Sequence, residues 1–239
     1  MKRKSTVEEI RERFDNDVDR FANLETGQSA AIDAPVALDL VARAAHATTP
    51  HANRLLDVGC GAGNFSLRLL ERGHYQSVTL VDLSQPMLSR AVERIRDATN
   101  IEPVAIQSDI RSFDLIPKSL DVVVAGAVLH HLRNENEWLT TFSKIYESLD
   151  VGGSFWIFDM VVSSIESIRE MQDERYGEYL VGLKDNAYRD HVFEYIEKED
   201  TPMPLMFQLG LLREVGFMQV DVLHFNTRFA AFGGVKCDK

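Results

Sequence analysis

Residues 55–65 read LLDVGCGAGNF: an apolar run, broken only by Asp57, passes into glycines at 59, 61 and 63. Helix-forming residues follow over 63–72. Glycine lets the main chain approach a ligand without a Cβ in the way, and the first amides of a helix have no partner within it. A strand that feeds a glycine turn and then a helix is therefore the architecture of a nucleotide site. The spacing here is GxGxG. A dinucleotide fingerprint requires glycine or alanine three residues beyond Gly61, and that position is Asn64. A pyrophosphate also gains nothing from a carboxylate at the mouth of the turn, whereas a ligand carrying an ammonium and a sulfonium group is attracted to Asp57.

Beyond this stretch, short apolar runs alternate with helical segments. The runs are RLLDV (54–58), SVTLV (77–81), PVAIQ (103–107), LDVVVAG (120–126) and SFWIFD (154–159), with helices expected at 63–72, 84–97 and 135–149. Runs that are apolar throughout imply a parallel sheet covered on both faces. Two closing strands are expected at 217–224 and 227–235, joined through Phe225 and Asn226, a link so short that the pair must be antiparallel. A helix over 203–215 precedes them. Residues 160–200 carry no strand-like run but many aromatics and charges, and read as inserted helices. Upstream, 5–24 shows spaced apolar positions among charges, the pattern of one amphipathic helix, and 30–47 reads as a second.

The second run ends at Asp82, where a carboxylate can accept two hydrogen bonds from a ribose diol. The third is followed by Asp109, placed to take an adenine amino group while Ile110 packs on the ring. The fourth ends in Ala125 and Gly126, small enough for the main chain to approach the ligand's amino-acid end. Acids at three strand tips on the carboxyl edge converge on one crevice. Cys60 in the turn and Leu83 beside Asp82 complete the expected cofactor contacts.

In motif order, 53–159 resembles the class I S-adenosylmethionine-dependent methyltransferases, and 217–235 resembles their closing hairpin. The resemblance implies a Rossmann-like α/β fold: a seven-stranded sheet of order 3-2-1-4-5-7-6, the last strand antiparallel, with helices on both faces and a helical cap. It also implies S-adenosyl-L-methionine as cofactor. Asp57, Gly59, Gly61 and Gly63 then lie near the methionine part, Asp82 at the ribose, Asp109 at the adenine edge, and Ala125 and Gly126 at the reactive end. AVLHHL (127–132) resembles the small-molecule branch, so a small-molecule acceptor is expected, with His131 as candidate general base. Residues 1–50 are expected to cover the cofactor site, and 51–239 to form the main domain with its insertion at 160–200.

Residues 211–236 and the N-terminal segment are also similar to the carboxy-S-adenosylmethionine synthases of tRNA wobble-uridine modification. That family holds its extra carboxylate with an arginine shortly before a Gly-Phe pair, and here the place falls on Leu211, with Arg213 nearby. Methyl transfer is therefore the leading reading and carboxylated-cofactor synthesis the alternative. A nicotinamide oxidoreductase using Asp82 and a non-catalytic binding module are the readings from other classes.

The 239 residues carry 26 basic and 37 acidic side chains, a formal net charge of −11, which argues against a protein that grips nucleic acid through phosphates. Cys60 and Cys237 are the two cysteines, in neither a disulfide nor a metal-ligand pattern. No third ligand stands near His130 and His131 in sequence, so no metal is expected; as neighbours, at most one of the two is expected to face the crevice. No apolar segment is long enough to span a bilayer, and a soluble, unprocessed cytoplasmic protein without membrane contact is expected. Oligomeric state is left open, a homodimer being compatible with the sequence.

Overall fold

The computed structural model describes residues 3–23 and 28–238. Its centre is one seven-stranded sheet in the order β3-β2-β1-β4-β5-β7-β6. The strands are β1 (Arg54–Val58), β2 (Ser77–Asp82), β3 (Val104–Gln107), β4 (Leu120–Gly126), β5 (Leu149–Met160), β6 (Gln219–Asn226) and β7 (Phe229–Val235). β1 to β5 are parallel, and β7 runs antiparallel to both β5 and β6. This is the expected sheet. Successive residues of a strand face opposite sides, so continuous apolar runs supply two cores. Leu55, Val78, Val122, Val124 and Trp156 face one, and Leu56, Val81, Val123, Phe155 and Ile157 the other.

The first core is covered by α3 (Ala34–Thr48), α4 (Asn64–Leu70) and α5 (Gln85–Ala98), and the second by α6 (Glu135–Ser148) and α9 (Leu205–Val215). Local chemistry sets their starts. Ser84 accepts from the Met87 amide with Pro86 in the first turn of α5, and Asn134 caps α6 through the Glu137 amide at 3.0 Å. Fully buried apolar side chains such as Leu38, Leu80 and Phe142 each contribute about 1.5–3 kcal/mol of transfer free energy.

Three expectations change. The amphipathic stretch over 5–24 is two helices, α1 (Val7–Asp15) and α2 (Val18–Ala22), with residue 24 outside the described residues. Thr6 and Glu9 form a capping box that starts α1, and the Asn16 amide donates to Arg13 and Phe14 carbonyls at its end. The closing hairpin turns at Thr227 and Arg228 rather than at Phe225 and Asn226, which pair with Ala230 and Phe229. Thr227 takes the left-handed conformation this requires, φ 49°. β5 begins at Leu149, where a helix was expected to end, and continues for 12 residues through Gly152, whose φ is 82°.

The insertion forms two helices, α7 (Glu166–Leu183) and α8 (Asn186–Glu199). Both are tied to the N-terminal half. Tyr176 and Tyr179 donate to the carbonyls of Ala30 and Ser29 at 2.9 and 2.8 Å, and the Ser5 amide donates to Lys198 at 3.0 Å. Among the described residues no helix is long and apolar enough to cross a membrane.

Candidate functional site

A cavity of about 490 Å³ lies along the carboxyl edge of the sheet. The glycine turn forms one wall. Gly59 sits at φ 66°, and a Cβ there would lie 2.3 Å from Val128 Cγ2, so only glycine fits. Gly61, at φ 50°, has open space where its Cβ would stand and lines the cavity. Its amide donates to Asp82 Oδ2 at 2.8 Å, while Oδ1 of the same carboxyl accepts from the Ser84 amide at 2.9 Å. Asp82 is thereby fixed at the end of β2, facing the cavity. Burial raises its pKa, against the backbone donors that lower it.

The cavity also touches Cys60, Leu83, Asp109, Ile110 and Gly126. Asp109 lies two residues beyond β3, and Arg111 holds both its carboxylate oxygens. Burial pushes this carboxyl up, but the Arg111 bonds outweigh it and leave it below the ordinary range. The Cys60 thiol is driven well up by burial, which suits a small filler rather than a nucleophile.

Asp57, Gly63 and Ala125 stand behind this wall. Asp57 lies inside β1, one residue before its end, and Oδ2 accepts the Ser66 hydroxyl at 2.6 Å and the Ser66 amide at 3.1 Å. It holds the first turn of α4. Burial, with Asp82 adding to it, pushes its carboxyl up to about 7 despite the Ser66 bonds. Gly63, at φ 82°, is the N-cap of α4, where a Cβ would meet Ala91 Cβ at 3.1 Å.

At the other end both histidines line the cavity, because Leu129–His131 form a 3₁₀ turn that brings the rings to 4.4 Å between centroids. His130 is held by Asp159 of β5, which takes its amide at 3.1 Å and pairs with its Nδ1. Burial disfavours charge on this ring, yet the carboxylates of Asp159 and Asp200 prevail and raise it to about 9. His131 is shifted the opposite way. Burial and the charges of His130 and Arg13 keep it neutral, against the Glu199 main chain, which favours charge, and among the described residues neither ring nitrogen makes a well-formed hydrogen bond. Asp200, just past α8, presents Oδ1 at 3.7 Å from His130 Nε2 and 3.5 Å from His131 Nδ1. Burial, opposed by His130, brings its carboxyl up to about 6. A third donor thus reaches the histidine pair through the fold, although spacing along the chain offered none.

The roof comes from α1, α2 and the insertion: Ile10, Arg13, Phe14, Phe21, Tyr188 and Tyr195. Arg13 lies over the rings of Phe14 and Tyr195 and pairs with Glu199 at 2.7 Å. Asn64, next to the glycine turn, donates to the Phe21 carbonyl at 2.9 Å and so joins wall to roof. Sequence reasoning missed Asp159, Asp200 and Arg13. Asp159 has a visible signal, an acid near the end of β5 as Asp82 is at the end of β2. The other two arrive from outside the alternating pattern.

The topology switches direction between β1 and β4, and the glycine turn and Asp82 sit at that crevice, which defines a Rossmann-like domain built for a nucleotide-type cofactor. Residues 55–153 match the family model described as a methyltransferase domain. Over this segment the chain is similar to S-adenosylmethionine-dependent methyltransferases. It is 33% identical over 114 residues to an uncharacterized methyltransferase of Mycobacterium tuberculosis (strain ATCC 25618 / H37Rv), covering 47% of this chain and 53% of that one. A carboxy-S-adenosyl-L-methionine synthase of Nautilia profundicola is 24% identical over 187 residues, covering 75% of this chain and 76% of the relative. In fold, the chain is similar to Burkholderia thailandensis 1,6-didemethyltoxoflavin-N1-methyltransferase, solved with 1,6-didemethyltoxoflavin and S-adenosylhomocysteine. The TM-score there is 0.65 at 15% identity, over 100% of this chain and 93% of that one. The chain spans about half the length of the first-ranked curated relatives it matches.

Proposed function

We propose that the protein transfers a methyl group from S-adenosyl-L-methionine to a small-molecule acceptor. The observation that carries this reading is the single cavity joining the glycine turn and Asp82 at one end to the His130, His131 and Asp200 cluster at the other, under an aromatic roof. The residues fit such a cofactor: the Gly61 turn leaves open space beside a fixed carboxyl, and the volume lies in the usual range for such ligands, roughly 300–1,000 Å³. When bound, the cofactor supplies a methyl on a sulfonium, already activated for in-line displacement.

In this reading Asp82 takes the ribose hydroxyls, Leu83 and Ile110 flank the adenine, and the Asp109–Arg111 pair borders its edge. Gly59, Cys60, Gly61 and Gly126 keep the main chain close to the methionine part. Asp57 acts from behind through Ser66, with Gly63 and Ala125 as packing. His131, held neutral, accepts the acceptor's proton at a ring nitrogen, and the His130–Asp159 pair fixes the turn that presents it. The helices of residues 1–50 and 160–200 close over both ligands and exclude water.

Carboxylated-cofactor synthesis is the second reading, favoured by the length of the Nautilia alignment. Leu211 is buried in the second core and does not line the cavity. The arginines that do, Arg13, Arg20 and Arg111, each pair with a carboxylate of this chain. Calorimetric titration with S-adenosylmethionine and S-adenosylhomocysteine is the test: a folded sample that binds neither at millimolar ligand refutes the proposal. Mass spectrometry of ligand co-purified with the protein separates the two readings, since a carboxylated cofactor is heavier.

A further inference from the structure

We propose that His130, His131 and Asp200 form a binding site for a first-row divalent transition metal such as Zn²⁺. One donor atom from each lies within 4.8 Å of the others. Asp200 Oδ1 is 3.7 Å from His130 Nε2 and 3.5 Å from His131 Nδ1. Ligands at about 2.1 Å from a tetrahedral zinc are separated from one another by about 3.4 Å, so small rotations bring this set into range.

Three further features are those of a ligand set rather than of a packed polar cluster. Among the described residues Asp200 Oδ1 and both His131 nitrogens are shielded from solvent without a well-formed hydrogen bond, the His131 ring having the Glu199 main chain and, at 3.5 Å, Asp200 Oδ1 beside it, a costly condition that a bound ion relieves. His130 turns its Nδ1 to the Asp159 carboxylate, which leaves Nε2 for the cluster; a carboxylate behind a ligating histidine is the usual device for fixing its tautomer and orientation. All three residues line the cavity, so an ion held by them keeps a position open toward an acceptor, as in catalytic rather than structural zinc sites.

The surrounding cations do not block the site. Arg13 is paired with Glu199, and Lys4 is bonded to the carbonyls of Asp200 and Glu197. Two imidazoles and one carboxylate favour Zn²⁺, Fe²⁺, Co²⁺ or Ni²⁺ over Mg²⁺ and Ca²⁺, which prefer all-oxygen sets. The site rests on and deepens the methyl-transfer reading: in the metal-loaded protein His131 would be a ligand through Nδ1 in place of serving as the base, and an acceptor oxygen or nitrogen coordinated at the open position would lose its proton to solvent more readily, as zinc-bound water does.

The test needs neither cofactor nor acceptor. Untagged, chelator-treated full-length protein is titrated with Zn²⁺ and with Mg²⁺ by calorimetry, and with Co²⁺ by visible absorption. The expected result is one Zn²⁺ per chain at micromolar or tighter Kd, no comparable Mg²⁺ binding, and a Co²⁺ ligand-field band. Asp200→Asn and His131→Gln, each checked for folding by circular dichroism, are expected to weaken Zn²⁺ binding at least 100-fold, and His74→Gln is expected to leave it unchanged. Failure of the wild-type protein to bind Zn²⁺, or binding that survives Asp200→Asn and His131→Gln, overturns the site. S-adenosylmethionine binding is measured separately, so a missing metal site and a missing cofactor site give different results.

Discussion

Asp57 is a buried acid whose folded-state pKa, about 7, lies roughly three units above the ~3.9 of an unfolded aspartate. Well below about pH 3.9 both states are protonated and the group is neutral in its effect, while at pH 4 the unfolded chain is already about half ionised. As pH rises toward 7 the unfolded chain ionises first, so stability is lost through this window, and above it the loss is complete. Three units correspond to about 4 kcal/mol, an upper figure for one residue. Asp57→Asn retains an acceptor for the Ser66 amide and hydroxyl and removes the titration. The assay is urea unfolding of wild type and variant from pH 4 to pH 8, read as the difference between them so that other groups cancel. The variant is expected to gain on the wild type by up to about 4 kcal/mol across that range, or roughly 8–16 °C in Tm for a chain of this size. A gap that does not change with pH refutes the reasoning, and with it the view that β1 carries an acid held at a cost to stability.

Gly59→Ala places a methyl 2.3 Å from Val128 Cγ2 in a left-handed conformation, whereas Gly61→Ala incurs the conformational strain alone. Thermal melts should show Gly59→Ala losing about 2–5 kcal/mol and Gly61→Ala about 1–2. Asp82→Ala removes the acceptor of the Gly61 amide and the proposed ribose contacts, and calorimetry is expected to show S-adenosylhomocysteine binding weakened at least 30-fold. Arg133 donates to the carbonyls of Ser5 and Glu199 and to the Thr201 hydroxyl. Arg133→Ala should speed amide exchange and proteolysis within residues 5–16 while leaving the sheet protected.

The sheet was legible because its signal is local and repeated. The runs from RLLDV to SFWIFD are mostly apolar at both odd and even positions, which calls for two covered faces in all but the exposed edge strand β3, and a sheet covered in this way leaves its carboxyl edge as the place for a site. Asp82 and the glycines could be placed because they stand at the ends of those runs. Asp57 shows where that logic stops: a carboxylate inside a strand has the same letter as one at its tip, and only Ser66, nine residues on, decides which way it is used. The histidine pair was readable as a motif but not as geometry. A 3₁₀ turn lets adjacent rings share one cavity, and Asp200 reaches them across 70 residues of chain from a segment whose pattern is simply charged. The hairpin turn shifted because nothing in FNTR marks Thr227, rather than Asn226, as the residue to adopt positive φ.

The roof over the cavity is fastened at several points: Ser5 to Lys198 and Arg133, Arg13 to Glu199, and Phe21 to Asn64. Swinging this cover aside breaks several of these bonds together and moves whole helices through solvent. For the proposed methyl transfer, egress of spent ligand rather than bond-making is expected to be the slow event, so turnover should fall in proportion to the viscosity added by sucrose, while the first turnover on a freshly loaded sample stays fast.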